Sequence, residues 1–378
     1  MSSIDDTVRT THESRARRCG PYVLGRALGQ GGTGAVWEAR HAVLGRRVAV
    51  KLMRPEFARN PEMLARFLRE AVAAARVEHP AVAAVLDAGH DGVEAWIAME
   101  YLDGEDLKTL IDRETRLDPA RAVDLLLPIL AGVAVAHDAG VVHRDLKPGN
   151  VFLARGRDGA VSPKVIDFGF SKLHDASAGG VSDLTAPATA VGTLWYMPVE
   201  QIRASSAATP ACDQYALGVT LYRMVTGALP FAGRTDPETF SAIVRGQCAR
   251  PSALVPSLPP GLEEVILRAM AHTPDKRFES VRAFGAALLP FASAAVRRRW
   301  ADSFNGGAES PEDTRIAAPN ALPPAPAPTP PPPPKPPSTP PAAPAPPPQG
   351  RAQVWAALAA GLVAGAAAGA GAVLALRP

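Results

Sequence analysis

Apolar and polar positions along the chain change period near residue 101. Before it the pattern is short and strand-like. The runs YVLGRAL (22–28), AVWEAR (35–40) and RRVAVKLM (46–53) are separated by glycine and charged turns, as strands are. Two further apolar runs, 82–87 and 93–99, read the same way. Between them, Asn60-Pro61-Glu62 carries the signature of a helix start, with an N-cap, a proline at the first helical position and then an acid. That helix is expected to run to about Val77. After Tyr101 the pattern becomes mostly helical. Asp118-Pro119 opens a long helix that passes through Pro128, where a bend is expected. The reading is α+β and bilobal: a small β-sheet lobe with one helix (21–101), then a larger, mainly helical lobe (102–291).

The flanks follow other rules. Residues 1–20 are polar and charged, lack the apolar core of a signal peptide, and read as a disordered lead-in. Residues 292–350 read as a Pro-rich disordered linker. Pro319–Pro348 holds 18 prolines in 30 residues, so it cannot bury a core and should extend as polyproline II. At ~3.1 Å per residue it would reach roughly 90 Å. Val354–Leu376 has no charged or polar side chain over 23 residues, enough for a transmembrane helix. The expectation is a single-pass membrane protein whose globular part is cytoplasmic. Gly361, Gly365 and Gly369 repeat at four-residue spacing, which lets two helices approach closely and allows a homodimer.

Composition narrows the picture. Forty basic against 37 acidic residues leave a net charge of +3, which gives no electrostatic case for nucleic acid. Cys19, Cys212 and Cys248 lie far apart and form no C-x-x-C pair, so neither a zinc ribbon nor a disulfide framework is indicated.

Candidate chemistry lies in five stretches. Gly29-Gln30-Gly31-Gly32-Thr33-Gly34-Ala35-Val36 is a glycine-rich turn between two strands, whose backbone can approach phosphate without a Cβ in the way. It opens no helix and lacks the Walker G-K-[ST], which argues against dinucleotide and P-loop folds. Val48-Ala49-Val50-Lys51 ends a strand in a lysine suited to phosphate oxygens, with small Ala49 leaving room for a flat base. Glu70, on the predicted helix, is either solvated or turned inward to a cation, Lys51 being the obvious one. In Val142–Asn150 (VHRDLKPGN), Asp145 can accept or orient a hydroxyl proton, Lys147 can neutralise a phosphoryl group, and Asn150 offers an amide oxygen to Mg²⁺. Asp167, in Asp167-Phe168-Gly169, would supply the main metal carboxylate.

Taken in order, these motifs resemble the signature set of eukaryotic-type serine/threonine protein kinases, which bacteria also encode. The resemblance covers residues 21 to about 291. It implies the bilobal protein-kinase fold, ATP with Mg²⁺ or Mn²⁺, and protein substrates. It also implies roles that composition does not show. Met99 would be the gatekeeper, Glu100 and Leu102 would bond the adenine through their backbone, and Asp106 would face the ribose. Val36, Ala49 and Phe152 would enclose the adenine ring. His143 and Phe168 would stack, Glu200 would pair with Arg277, and Asp213 would brace the catalytic loop. Arg144 would receive a phosphorylated residue of the activation segment, with Thr185 and Thr189 the best-placed acceptors and Ser182 behind them. The chain departs from the family at Pro198-Val199-Glu200, where A-P-E or S-P-E is usual, which puts substrate specificity in doubt. Two rival readings are a pseudokinase scaffold and a small-molecule kinase. The presence of Lys51, Asp145, Asn150 and Asp167 counts against the first. The long stretch from Asp167 to Glu200 favours a protein substrate over the second.

Overall fold

The computed structural model describes residues 17–32, 34–168, 194–203, 208–231, 233 and 235–305. The expected linker, the Val354–Leu376 span and its glycine ridge lie outside them.

Six strands form one antiparallel sheet: β1 (Arg18–Cys19), β2 (Tyr22–Gln30), β3 (Gly34–His41), β4 (Arg47–Met53), β5 (Val85–His90) and β6 (Ala95–Glu100), in the order β1-β2-β3-β4-β6-β5. Both faces of β4 are covered, which is why its sequence is apolar almost throughout. Val48, Val50 and Leu52 join Tyr22, Leu24 and Trp96 on one face. Ala49 and Met53 join Phe67, Ala71, Ile97 and Met99 on the other. That second layer is completed by α2 (Pro61–Ala74), which follows a short α1 (Pro55–Ala58). The Asn60 side chain caps α2 by accepting from the backbone N–H groups of Glu62 and Met63, as the sequence predicts.

Beyond the sheet come β7 (Gly104–Asp106), α3 (Leu107–Glu114), α4 (Pro119–Asp138), β8 (Val151–Arg155) and β9 (Val161–Val165), with β7-β8-β9 forming a small second sheet. They are followed by α5 (Val199–Arg203), α6 (Pro210–Thr226), α7 (Asp236–Arg245), α8 (Pro251–Leu254), α9 (Leu262–Ala269), α10 (Val281–Leu288) and α11 (Ala294–Asn305). The expected order, sheet lobe then helical lobe, is therefore observed. Helix α4 continues through Pro128 and is buried on nearly every side, against α6, α10 and β9. Among the described residues it is the one helix long and apolar enough to cross a membrane, and its burial identifies it as a core helix. A parallel bridge joins the two parts of the fold: Ala83 N donates to Val165 O and Val165 N to Ala81 O, both at 2.8 Å.

Two boundaries differ from the sequence reading. Residues 17–20 are not lead-in: Cys19 is fully buried, Arg18 and Cys19 pair with β2, and Arg17 forms an ion pair with Glu94. Residues 294–305 are not linker but helix. Trp300 and Phe304 lie four apart and bury one face of α11 against α4 and α10. The charged run Arg297-Arg298-Arg299 hides that stripe in the sequence.

Candidate active site

The glycine turn joins β2 to β3, closed by Gly31 N donating to Gly34 O at 2.8 Å. A Cβ on Gly34 would stand 1.9 Å from Leu52 O, so β3 and β4 approach each other only because that position is glycine. At Gly29 a Cβ would meet nothing within 4 Å. Gln30 ends β2 opposite Ala35, and Gly32 lies in the turn itself. Arg54 pins the turn by donating to Gly31 O at 3.0 Å. Thr33 lies outside the described residues.

Strand register sets the floor below this turn. Val36 is opposite Lys51, Ala49 opposite Met99, and Lys51 opposite Ile97, so all five share one face of the sheet. Phe152 pairs with Asp106 across β7 and β8. Asp106 acts as the N-cap of α3, its Oδ1 accepting from Thr109 N at 2.7 Å. Glu100 N donates to Ala84 O at 2.9 Å, and Leu102 follows two residues on, in the link between the lobes.

The lysine and the glutamate do not meet as the sequence suggests. Lys51 is 6% exposed and its Nζ lies 2.9 Å from Asp167 Oδ1. Neither oxygen of Glu70 has a hydrogen-bond partner, though both are shielded from solvent. Desolvation by burial pushes the Glu70 carboxyl up to about 7, and the nearby charges of Arg66, Arg144, Lys51 and Arg69 only partly offset it. The reason is competition: a buried ammonium goes to the carboxylate it reaches, and here Asp167 reaches it first.

A carboxyl with a folded pKa above its unfolded value favours the fold in its protonated form. Its contribution is complete below pH 4.5 and is lost as pH rises through about 7. Glu70→Gln should therefore leave Tm unchanged near pH 4.5 and raise it at pH 8. The difference is about 2 kcal/mol after allowance for solvent screening, or about 5 °C. Calorimetry at the two pH values checks this, and an equal offset at both would assign the effect to packing instead.

The loop after α4 gathers the remaining chemistry. Lys147 Nζ donates to both oxygens of Asp145 at 3.0 and 2.9 Å. Asn150 Nδ2 donates to Asp145 O at 2.7 Å and to Asp145 Oδ2 at 3.1 Å. With its nitrogen so engaged, the free Oδ1 of Asn150 is a hard oxygen donor, and Asp167 keeps Oδ2 beyond the oxygen that holds Lys51. This pair fits a Mg²⁺ bound by one or two protein oxygens plus phosphate. The Asp167 strand end is tied to the loop by Ile166 N donating to Asn150 O at 3.0 Å. His143 stacks on Phe168 with centroids 4.8 Å apart and bonds Ile166 O through Nε2.

Backbone strain concentrates here. Arg144 and Asp167 have φ of 70° and 62°, and with Thr115 they are the non-glycine residues at positive φ among those described. Each such conformation costs about 1–2 kcal/mol and must be held by its surroundings. Asp213, 1% exposed, does much of the holding: it accepts from His143 N and Arg144 N, both at 2.8 Å. His137 reaches the same carboxylate at 2.8 Å. Glu200 and Arg277 pair at 2.7 Å. Thr185 and Thr189 lie outside the described residues.

Three contributors escaped the sequence reading: His137, Lys164 and Gln201. Lys164 lies 2.7 Å from Glu100 Oε1, which also accepts from Ala84 N at 3.0 Å. No local pattern marks that pair, because its members are 64 residues apart. Gln201 had a weak signal, in directly following Glu200.

Comparison with known proteins agrees with this geometry. The protein kinase domain family matches residues 22–287. PknA of Mycobacterium tuberculosis, a serine/threonine-protein kinase, is 36% identical over 309 residues, covering 80% of this chain and 67% of PknA. SCO3848 of Streptomyces coelicolor, which also carries a serine/threonine-protein kinase name, is 37% identical over 272 residues. The match covers 71% of this chain but only 39% of SCO3848. The crystal structure of the PknI kinase domain of M. tuberculosis superposes with a TM-score of 0.56 at 28% identity, covering 73% of this chain and 98% of that one. The chain belongs to the protein kinase family, and its relatives are bacterial serine/threonine kinases.

Proposed function

We propose that this protein transfers the γ-phosphoryl group of ATP to serine and threonine hydroxyls of protein substrates. The reading is carried by one observation: the Asp145–Lys147–Asn150 cluster and the Asp167–Lys51 pair are joined by the Ile166–Asn150 backbone bond. Asp145 takes the hydroxyl proton as the new O–P bond forms and the bond to the β-phosphate oxygen breaks. Lys147 neutralises the transferring group from beside Asp145. Lys51 would turn from Asp167 to the α- and β-phosphates once nucleotide enters, and Glu70 would then hold it there. Asn150 and Asp167 would hold Mg²⁺, which would neutralise charge on the phosphates. Such chemistry needs positioning and electrostatics more than covalent catalysis.

Regulation is part of the proposal. Arg144 would accept a phosphorylated Thr185 or Thr189, making the protein its own first substrate. Val354–Leu376 would anchor it in the membrane, with protein substrates met on the cytoplasmic face. The scaffold reading gains nothing from the site, whose four phosphotransfer residues are all present.

Full-length protein, incubated with γ-labelled ATP and Mg²⁺, should label itself and an added basic protein on serine or threonine. EDTA should lower the rate more than about 100-fold, with recovery on added Mg²⁺. Binding of ATP without transfer in either case would sink the proposal. Running the assay on membrane and soluble fractions addresses the anchor, since activity confined to the soluble fraction would remove it.

A further inference from the structure

We infer that Gln201 is a positioning residue for Asp145. Its Nε2 donates to Arg144 O at 2.6 Å, and the residue is 9% exposed. That carbonyl belongs to the same peptide group as the Asp145 N–H, so its direction sets how Asp145 leaves the main chain. The group is held on its other side by Asp145 N donating to His143 Nδ1 at 3.3 Å. One peptide earlier, Arg144 N donates to Asp213. The strained φ of 70° at Arg144 is thus clamped at N–H by α6 and at C=O by α5.

The two clamps differ in kind. Asp213 sits inside the long core helix α6. Gln201 sits on α5, a helix of five residues that follows the Pro198 departure. Glu200, beside it, ties α5 to Arg277. A cavity of about 10 Å³ between Arg144, Gln201, Cys212 and Asp213 has room for one water at most. A shift of α5 is therefore passed to the catalytic loop rather than absorbed by a void. Through Gln201, the orientation of Asp145 depends on the seating of α5.

The test uses full-length protein. Gln201→Met keeps length and apolar contact but removes the N–H donor. Its kcat should fall about 10- to 100-fold, the range expected for misaiming a catalytic group by about 1 Å, with KM for ATP within two-fold of wild type. Gln201→Glu keeps the shape, yet at pH 8 sets a carboxylate against a carbonyl oxygen. It should lose at least as much at pH 8 and recover part of it at pH 6, where a protonated carboxyl can donate again. Gln201→Met should show no such recovery. The kinetic arm rests on the phosphotransfer reading. A second arm does not: amide hydrogen exchange over residues 141–150 should quicken in Gln201→Met. If wild type transfers no phosphate, the phosphotransfer reading fails and the exchange arm still decides the role of Gln201. The inference is overturned if the Met variant keeps kcat within two-fold, if its kcat loss tracks loss of ATP affinity or of folded protein, or if exchange is unchanged.

Discussion

Asp145→Asn should cut phosphotransfer by about 10³-fold while nucleotide affinity stays within two-fold of wild type. A general base alone accounts for about 10²–10⁴-fold. The geometry places the loss clear of the lower end of that range. The Asp145 carboxylate accepts from Lys147 through both oxygens and from Asn150 through Oδ2. An asparagine keeps one of those oxygens and turns an NH₂ group towards the other donors. Donor then faces donor, so Lys147 or Asn150 must move. One substitution thereby removes the base and displaces the cation and the amide beside it. The glycine turn and the Ala49–Met99 floor are untouched, which is why binding should survive. Single-turnover transfer measured beside the Kd of a fluorescent ATP analogue separates the two effects. A parallel fall in both would mean that Asp145 supports the site rather than the chemistry.

The residues of this cluster were legible in the sequence because phosphoryl transfer fixes their order and type at short spacing. Asp145, Lys147 and Asn150 occupy six positions of one loop, and the fold brings them within hydrogen-bond distance of one another. The sheet lobe was legible for a related reason: short strand-like runs bounded by glycine and charged turns mark β2–β4, and β4 reads apolar almost throughout because both its faces are covered. What escaped were choices among partners. Nothing in the sequence decides whether Lys51 pairs with Glu70 or Asp167, since both carboxylates lie far from it in the chain and only the fold sets which one it reaches. The clamps on the catalytic loop escaped too. Asp213 was assigned from resemblance, but His137 meets Asp213 across 76 residues and Gln201 reaches the loop across 57. The α11 helix was hidden by three arginines on its exposed side, which made a buried Trp300–Phe304 stripe look like the start of a linker.

Arg277→Met should destabilise the fold by about 3–5 kcal/mol and lower Tm by about 10 °C. Every N–H of the guanidinium is engaged. Nε donates to Ala271 O, Nη1 to Glu200 Oε1 and Ala211 O, and Nη2 to Glu200 Oε2 and His272 O. The side chain has no solvent exposure and the guanidinium carbon lies 5.0 Å from the centre of the Tyr215 ring. Methionine fills the volume but leaves three carbonyls and a carboxylate without their donor. The loss is therefore mostly desolvation left uncompensated, not the modest net worth of an ion pair. Two consequences distinguish this account from a surface salt bridge. The destabilisation should depend only weakly on ionic strength, because Arg277 is fully buried and Glu200 is largely so, which leaves the pair poorly screened. The double variant Arg277→Met/Glu200→Met should be more stable than the sum of the two single losses, since it removes the orphaned carboxylate along with its partner. Denaturant melts at low and high salt, completed as a double-mutant cycle, read both. Strict additivity, or a loss that salt erases, would show that the two residues are held by other contacts and that α5 is anchored elsewhere.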